Sequence, residues 1–317
     1  IGIGSPLMDY MVSADDNLLA ELSLSKGGMR LIDENESRAI RAKIDSRVEH
    51  RVPGGSAANT IAGAALLGAR TAFMGSIGDD DEGGRYVSET EKSGVKSVLR
   101  KHHALTGHAI TFITSGGERT FATHLGAAVN LCSDDVDEDA ISRSAILHVE
   151  GYLLEPPALR EAALKAMKAA KKSGTLVSID VADPGLVTRM GDDLKNIVRE
   201  FADILFMNET EAKAFTGCEE REAARCAKDF VSVAVVKLGG EGSLIATGDT
   251  LIEIPSYAVT VVNTNGAGDM YAGGFLYALS KGKTLEQCGK IASYAASRVV
   301  GSAGARLDAR PDVESVI

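Results

Sequence analysis

The chain has 317 residues, 44% of them hydrophobic and 25% charged, with a formal net charge of −10 at pH 7. This composition excludes a disordered chain, and an acidic balance with no Lys/Arg-rich run leaves no basis for a nucleic-acid partner. No apolar run approaches the roughly 18 residues of a membrane span, and no signal-peptide pattern opens the sequence. The length suits one large domain or two modest ones and is ample for a buried core. Glycine is frequent (34 residues) and aromatics are scarce at 5%, with no Trp, which fits tightly packed α/β layers. Cys132, Cys218, Cys226 and Cys288 are scattered, as expected of reduced, buried thiols in a cytoplasmic protein. The chain opens directly on the apolar run Ile1-Gly2-Ile3-Gly4, so a few native residues are expected to precede it.

In chain order, the small-residue run from Gly54 to Ala69 predicts a helix with Ser56 as its N-cap. Thr71 to Gly78 then reads as a strand. His108 to Gly126 carries two β-branched runs around Ser115-Gly116-Gly117, which predicts a hairpin and with it a small appended sheet. The second half alternates. Strands are expected at 145–150, 175–180, 203–208 and 232–239, and helices at 158–174, 192–201 and 209–215. Strands alternating with helices predict βαβ units and a mostly parallel sheet covered on both faces. Ligands in such sheets sit at the carboxyl ends of the strands. Val261 and Val262 read as the end of a further strand, followed by a helix from about Ala267.

The turn before that helix is the most informative stretch. Gly266, Ala267 and Gly268 place their N–H groups at a helix N-terminus, where they lack intrahelical partners and the helix dipole adds positive character. Glycine lets a ligand approach that backbone closely. Asp269 in the first turn reads either as dipole compensation or as a functional carboxylate. Gly273 and Gly274 inside the helix imply close packing against another element. Gly54-Gly55-Ser56-Ala57-Ala58-Asn59 is either a plain helix start or a close approach to a polyhydroxyl substrate. The acidic run Asp79 to Glu82 reads as a solvated loop rather than a metal site. At the end of the strand before Asn208-Glu209-Thr210-Glu211, Glu211 reads as a helix cap or as a carboxylate reaching a hydrated metal. The sequence holds no P-loop, no nucleophile elbow and no zinc-like histidine spacing, and Gly2 to Leu7 lacks the third glycine of a dinucleotide fingerprint.

Asn263-Thr264-Asn265-Gly266-Ala267-Gly268-Asp269 followed by Gly273-Gly274, preceded in the chain by Gly54-Gly55 to Asn59 and on to Gly75 and Gly83, resembles the two signatures of the ribokinase-like (PfkB) carbohydrate and nucleoside kinases. The resemblance covers nearly the whole chain. Gly4 to Asp9, the run from Asn17 to Glu34, HVEGYLL, DILFMNETEA and YAAS resemble the adenosine kinase branch in the same order. It implies a single ribokinase-like domain over residues 1–317, a three-layer α/β/α sandwich with a small β-sheet lid built from segments near 8–35 and 100–128. It also implies an ATP- and Mg²⁺-dependent transfer to a primary hydroxyl, with adenosine or a related nucleoside as acceptor. A sugar kinase acting on ribose, fructose or 2-keto-3-deoxygluconate is the alternative, and a non-catalytic nucleoside-binding member is a further one. Purine salvage follows from the same resemblance; a cytoplasmic monomer or homodimer with no nucleic-acid or membrane partner is expected.

Residue by residue, the resemblance makes Asp269 the base. Gly266, Ala267 and Gly268 become the anion hole, and Arg119 a phosphate contact made on closure. Asp9, Gly54, Gly55 and Asn59 would bind the acceptor's hydroxyls, and Met29, Leu31, Tyr152 and Leu153 would form an apolar slot for a base. Lys237, Gly239, Gly240, Gly242, Thr264, Asn265 and Asn208 would face ATP, with Asn208 and Glu211 holding Mg²⁺ through water. Asn263 stands where the family usually carries Asp beside a monovalent-cation site, which bears on the strength of any K⁺ dependence.

Overall fold

The computed structural model describes residues 1–115 and 118–317. Gly116 and Gly117, the expected hairpin tip, lie outside the described residues. The strands are β1 (Gly2–Ile3), β2 (Leu7–Ser13), β3 (Met29–Leu31), β4 (Val48–Gly54), β5 (Thr71–Gly78), β6 (Val95–His102), β7 (His108–Ile113) and β8 (Arg119–His124). They continue as β9 (Ile146–Glu150), β10 (Leu176–Asp180), β11 (Ile204–Asn208), β12 (Val233–Lys237), β13 (Ser243–Thr247) and β14 (Thr250–Ile254). Among the described residues they form a nine-stranded sheet, β14-β13-β12-β11-β10-β9-β1-β5-β6, and a five-stranded sheet, β3-β8-β7-β2-β4.

The large sheet is parallel from β6 to β12, and β13 and β14 close its far edge as an antiparallel hairpin. Its strands are near-continuous apolar runs, as burial under helices on both faces requires; β9, for example, is buried along its whole length. The helix Pro157–Ser173 ends on Gly174 in the left-handed region, where glycine is favoured. Strand order reverses between β1 and β9, because the chain runs outward to β5 and β6 on one side and to β10, β11 and β12 on the other. That reversal opens a crevice at the strands' carboxyl ends.

Three expectations are corrected here. Val261 and Val262 belong to no strand and are exposed, for the β-branched pair finds no neighbouring edge to join. Ser56 is not the N-cap: Gly55, at φ +96°, caps the helix Ser56–Leu67, and Ser56 is its first residue. The thiols are free but not uniformly buried, since Cys132 is exposed and the sulfurs of Cys218 and Cys226 lie 3.0 Å apart. The acidic run is structural: Asp80 caps the helix Asp81–Lys92 and also accepts from the Thr106 N–H at 2.8 Å. No helix among the described residues is long and apolar enough to cross a membrane.

The smaller sheet is assembled from three stretches of chain. Besides the hairpin β7–β8 and the N-terminal β2 and β3, it takes in β4, outside the segments expected from the sequence. Strand register sorts its side chains by face, because laterally paired residues point the same way. Met8, Tyr10, Val12, Ile110, Phe112 and Ala122 are buried in one cluster with Leu18, Ile40, Ile61 and Phe73. On the opposite face Asp9 pairs with Val52 and Ala109, Ala109 with Thr123, and Thr123 with Leu31. Met29 and Arg119, each an even number of residues along its strand, share that face.

Candidate active site

The helix Ala267–Ser280 begins on Gly266, whose φ of +75° only glycine adopts readily. A side chain there is also excluded by space, since a Cβ would fall 2.3 Å from the Ala305 carbonyl oxygen. The Ala267 N–H closes a turn onto the Thr264 carbonyl at 3.3 Å. Of the three expected anion-hole donors, Ala267 is therefore already engaged. The N–H groups of Gly266, Gly268 and Asp269 meet no acceptor among the described residues. Lys237 reaches the same spot, its Nζ 3.2 Å from where a Cβ on Gly268 would be.

The Asp269 carboxylate is held at both oxygens. Ser56 Oγ donates to Oδ1 at 2.8 Å and Asn59 Nδ2 to Oδ2 at 3.0 Å. Burial raises its pKa to about 6, against the opposing pull of those two hydrogen bonds. Asn59 is itself gripped from behind, its Oδ1 accepting from Arg306 Nε at 2.8 Å. Asp9 approaches from β2, close enough that a Cβ on Gly54 would lie 2.2 Å from its Oδ2. Burial pushes Asp9 to about 7, with the Arg306 charge opposing and the Asp269 charge adding.

At the crevice floor the last residues of four adjacent strands are polar: Glu150, Asp180, Asn208 and Lys237. Glu150 accepts from the Ser5 and Ala57 N–H groups at 2.8 and 3.1 Å, which ties the β1 loop to the start of the Ser56 helix. It is raised to about 7 by burial, opposed by those hydrogen bonds. Asp180 pairs with Lys237 at 2.8 Å. Asn208 and Glu211 form a reciprocal capping box in which both Glu211 oxygens accept from Asn208. Burial and the Asp180 charge raise Glu211 to about 7. The described residues contain no group of three or more His, Cys, Asp or Glu able to cage a metal. With Asp180 held by Lys237 and Glu211 by Asn208, the donor set fits a hydrated ion and not a stripped one.

Arg119 starts β8 and spans to the helix entrance, donating to Asn263 Oδ1 and to the Ala303 carbonyl at 3.4 Å. Asn263 Oδ1 also receives the Asn265 N–H at 2.9 Å, and its Nδ2 donates to Ala303 at 2.9 Å. A guanidinium and an amide thus already fill the oxygen expected to face a monovalent cation, so the arrangement does not fit K⁺ at Asn263. Gly239, Gly240 and Gly242 turn between β12 and β13, beside Lys237. Gly242 has φ +99°, and a Cβ would fall 2.0 Å from the Ile254 carbonyl oxygen. Thr264 is exposed.

The expected apolar slot is only partly assembled. Met29 and Leu31 are each 59% exposed on the open face that carries Asp9. Tyr152 is exposed and its hydroxyl donates to the Ala182 carbonyl at 3.4 Å. Leu153 is wholly buried in the main core and lines nothing, because the short 3₁₀ turn after β9 points it inward. Sequence reasoning missed Glu150, Asp180 and Arg306. The first two were legible as acids ending buried strands; Arg306 carried no local signal.

The PfkB family carbohydrate kinase profile matches residues 29–312 of this chain. The chain belongs to that family. It is 32% identical to the solved adenosine kinase from Sinorhizobium meliloti, with a TM-score of 0.88 over 98% of this chain and 95% of that one. It is 29% identical to adenosine kinase from Saccharomyces cerevisiae over 90% of this chain and 89% of that protein. It is 31% identical to 5-dehydro-2-deoxygluconokinase from Halalkalibacterium halodurans over 98% of this chain and 96% of that one. The protein is a phosphotransferase acting on a hydroxyl group, and the family implies ATP and usually a divalent metal. Adenosine and sugar kinases stand at about the same distance, so membership alone leaves the acceptor open.

Proposed function

We propose that the protein transfers the γ-phosphoryl group of ATP to the 5′-hydroxyl of adenosine or a closely related nucleoside. The observation that carries the reading is Asp269, a carboxylate fixed by Ser56 and Asn59 beside unengaged N–H groups at a helix N-terminus. In this reading Asp269 takes the acceptor's proton as the bond to phosphorus forms. The Gly268 and Asp269 amides, Lys237 and the positive end of the helix take up charge on the transferring oxygens, where the transition state concentrates it. Asp9 and the backbone at Gly54 and Gly55 hold the acceptor's other hydroxyls. ATP lies along Asn208, Lys237, the Gly239 to Gly242 turn, Thr264 and Asn265. Mg²⁺, held through water by Glu211 and Asn208, would supply charge neutralisation on the phosphates. The smaller sheet acts as a lid whose closure brings Arg119 over the phosphates and excludes water.

The nucleoside is favoured over a free sugar by the open apolar surface at Met29 and Leu31, which a flat base would cover and a polyol would leave wet. The names of the Sinorhizobium and yeast relatives point the same way. ADP release with MgATP, measured over adenosine, guanosine, inosine, cytidine, ribose, fructose and 2-keto-3-deoxygluconate, tests it. Preference for adenosine is the expected result. Preference for a free sugar would keep Asp269 and discard the base slot, while no turnover with any of these acceptors would overturn the nucleoside reading.

A further inference from the structure

Asn59 stands between two groups of opposite hydrogen-bonding character. A carboxylate can only accept and a guanidinium can only donate. The amide of Asn59 is nearly symmetrical in shape, so packing alone does little to choose between its two orientations. Held by Asp269 alone, it could turn over whenever that carboxylate is protonated, presenting Oδ1 to the new O–H. The bond from Arg306 Nε to Oδ1 at 2.8 Å removes that freedom. The amide must keep its NH₂ toward Asp269 Oδ2, at 3.0 Å, in either protonation state of the acid. The loop carrying Arg306 is fixed at the same entrance, since Ala305 abuts Gly266 and Ala303 accepts from Asn263.

We propose that Arg306 is a positioning residue for Asp269, acting through Asn59, which it locks in the orientation that favours the ionised base. This rests on the reading of Asp269 as the base. The lock matters because a base that has taken a proton must give it up before the next turnover, and an amide that only donates binds the ionised form more strongly than the protonated one. The other groups bearing on Asp269 leave this bond as the one adjustable contact. Ser56 donates from the same helix as Asn59, while Asp180 and Lys237 neutralise each other across an ion pair. Asp9 and Glu150 act only at longer range. Arg306 also acts through its charge on Asp9 and Tyr86, while its Nη2 is buried and meets no acceptor among the described residues. A cavity of about 250 Å³, lined in part by Asn59, Met270 and Asp308, lies alongside it, so a replacement side chain has room.

The test is a double-mutant cycle of Arg306→Met and Asn59→Ala, read as kcat against pH with acceptor and MgATP saturating, with Arg306→Lys as the conservative variant. Arg306→Met is expected to lower kcat about tenfold and to move its acid limb up by about one pH unit, the scale of one hydrogen bond to a charged group. Arg306→Lys should recover part of both effects. In the Asn59→Ala background Arg306→Met should change kcat by less than about twofold, since the intermediary is gone. An acid limb that stays in place, or effects that multiply independently, overturns the proposal. Should the methionine variant fail to fold, the lysine variant alone decides by whether its limb lies above the wild-type one. Asp269→Asn separates the two levels. If that variant turns over normally, the base assignment falls and this inference with it; if it is inactive while the acid limb of Arg306→Met is unmoved, only this inference falls.

Discussion

The carboxyl edge of the large sheet and the open face of the small one are built on opposite terms. The first gathers Glu150, Asp180, Glu211 and Asp269, each engaged by a named donor at a strand's end or in a helix's first turn. The second presents Met29, Leu31 and Val52 to solvent, with Asp9 and Arg119 as its charged residues near the crevice. Charge that must stay put is placed where burial and hydrogen bonds hold it. The exposed apolar surface lies on the sheet assembled from three separate stretches of chain. On the proposed reading, chemistry belongs to the large sheet with Arg119 reaching in from the small one, and acceptor choice belongs to the small sheet.

The sharpest way to break that division is Asp269→Asn, which should lower kcat by at least ~10²-fold for every acceptor, as loss of a general base does. Steady-state kinetics would show it, and near-normal turnover would remove the base. Arg119→Ala joins the two regions and should slow single-turnover transfer about tenfold or more, because it removes a charge-assisted contact with the helix entrance. An unchanged transfer rate would confine chemistry to the large sheet alone. Met29→Ser and Leu31→Ser should each raise the acceptor KM about fivefold to tenfold, from the apolar area a base no longer buries. Their kcat should stay within about twofold and their melting temperature should hold, since both side chains are exposed. A fall in kcat with KM unchanged would place chemistry on the small sheet.

The smallest effect concerns stability. Burial holds Asp9, Glu150 and Glu211 at about 7 and Asp269 at about 6, above their unfolded values near 4. These acids bind protons more tightly folded than unfolded. The stability they contribute is full below about pH 4 and is lost as pH rises through 6 to 7. Asp269→Asn, inactive or not, should therefore melt a few degrees higher than wild type at pH 8 and level with it near pH 4. Equal melting at both pH values would mean that Asp269 is not raised.

Much of the large sheet was legible because its signals are local. Apolar runs alternate with helical ones, Gly174 stops a helix, and Gly266 marks an N-cap within a few residues of Asp269. What escaped depends on distance along the chain. Arg306 meets Asn59 from 247 residues away, and nothing near Arg306 announces the contact. β4 looks unremarkable by itself and becomes a strand only because β2 offers it an edge. Val261 and Val262 fail for the converse reason, having strand propensity without a partner. Ser56 shows how a local rule yields to a tertiary one, since its hydroxyl serves Asp269 and the cap passes to Gly55.

The glycine pair inside the Ala267–Ser280 helix carries a last consequence. A Cβ on Gly273 would lie 2.5 Å from the Thr60 carbonyl oxygen, and one on Gly274 3.0 Å from Ala292 Cα. The helix is thus clamped backbone to backbone between its neighbours Ser56–Leu67 and Leu285–Val300. In an amide exchange experiment its interior should be among the last parts of the molecule to take up deuterium. The base would then be mounted on the slowest-breathing body of the protein, a fixed datum against which every other moving part is aligned.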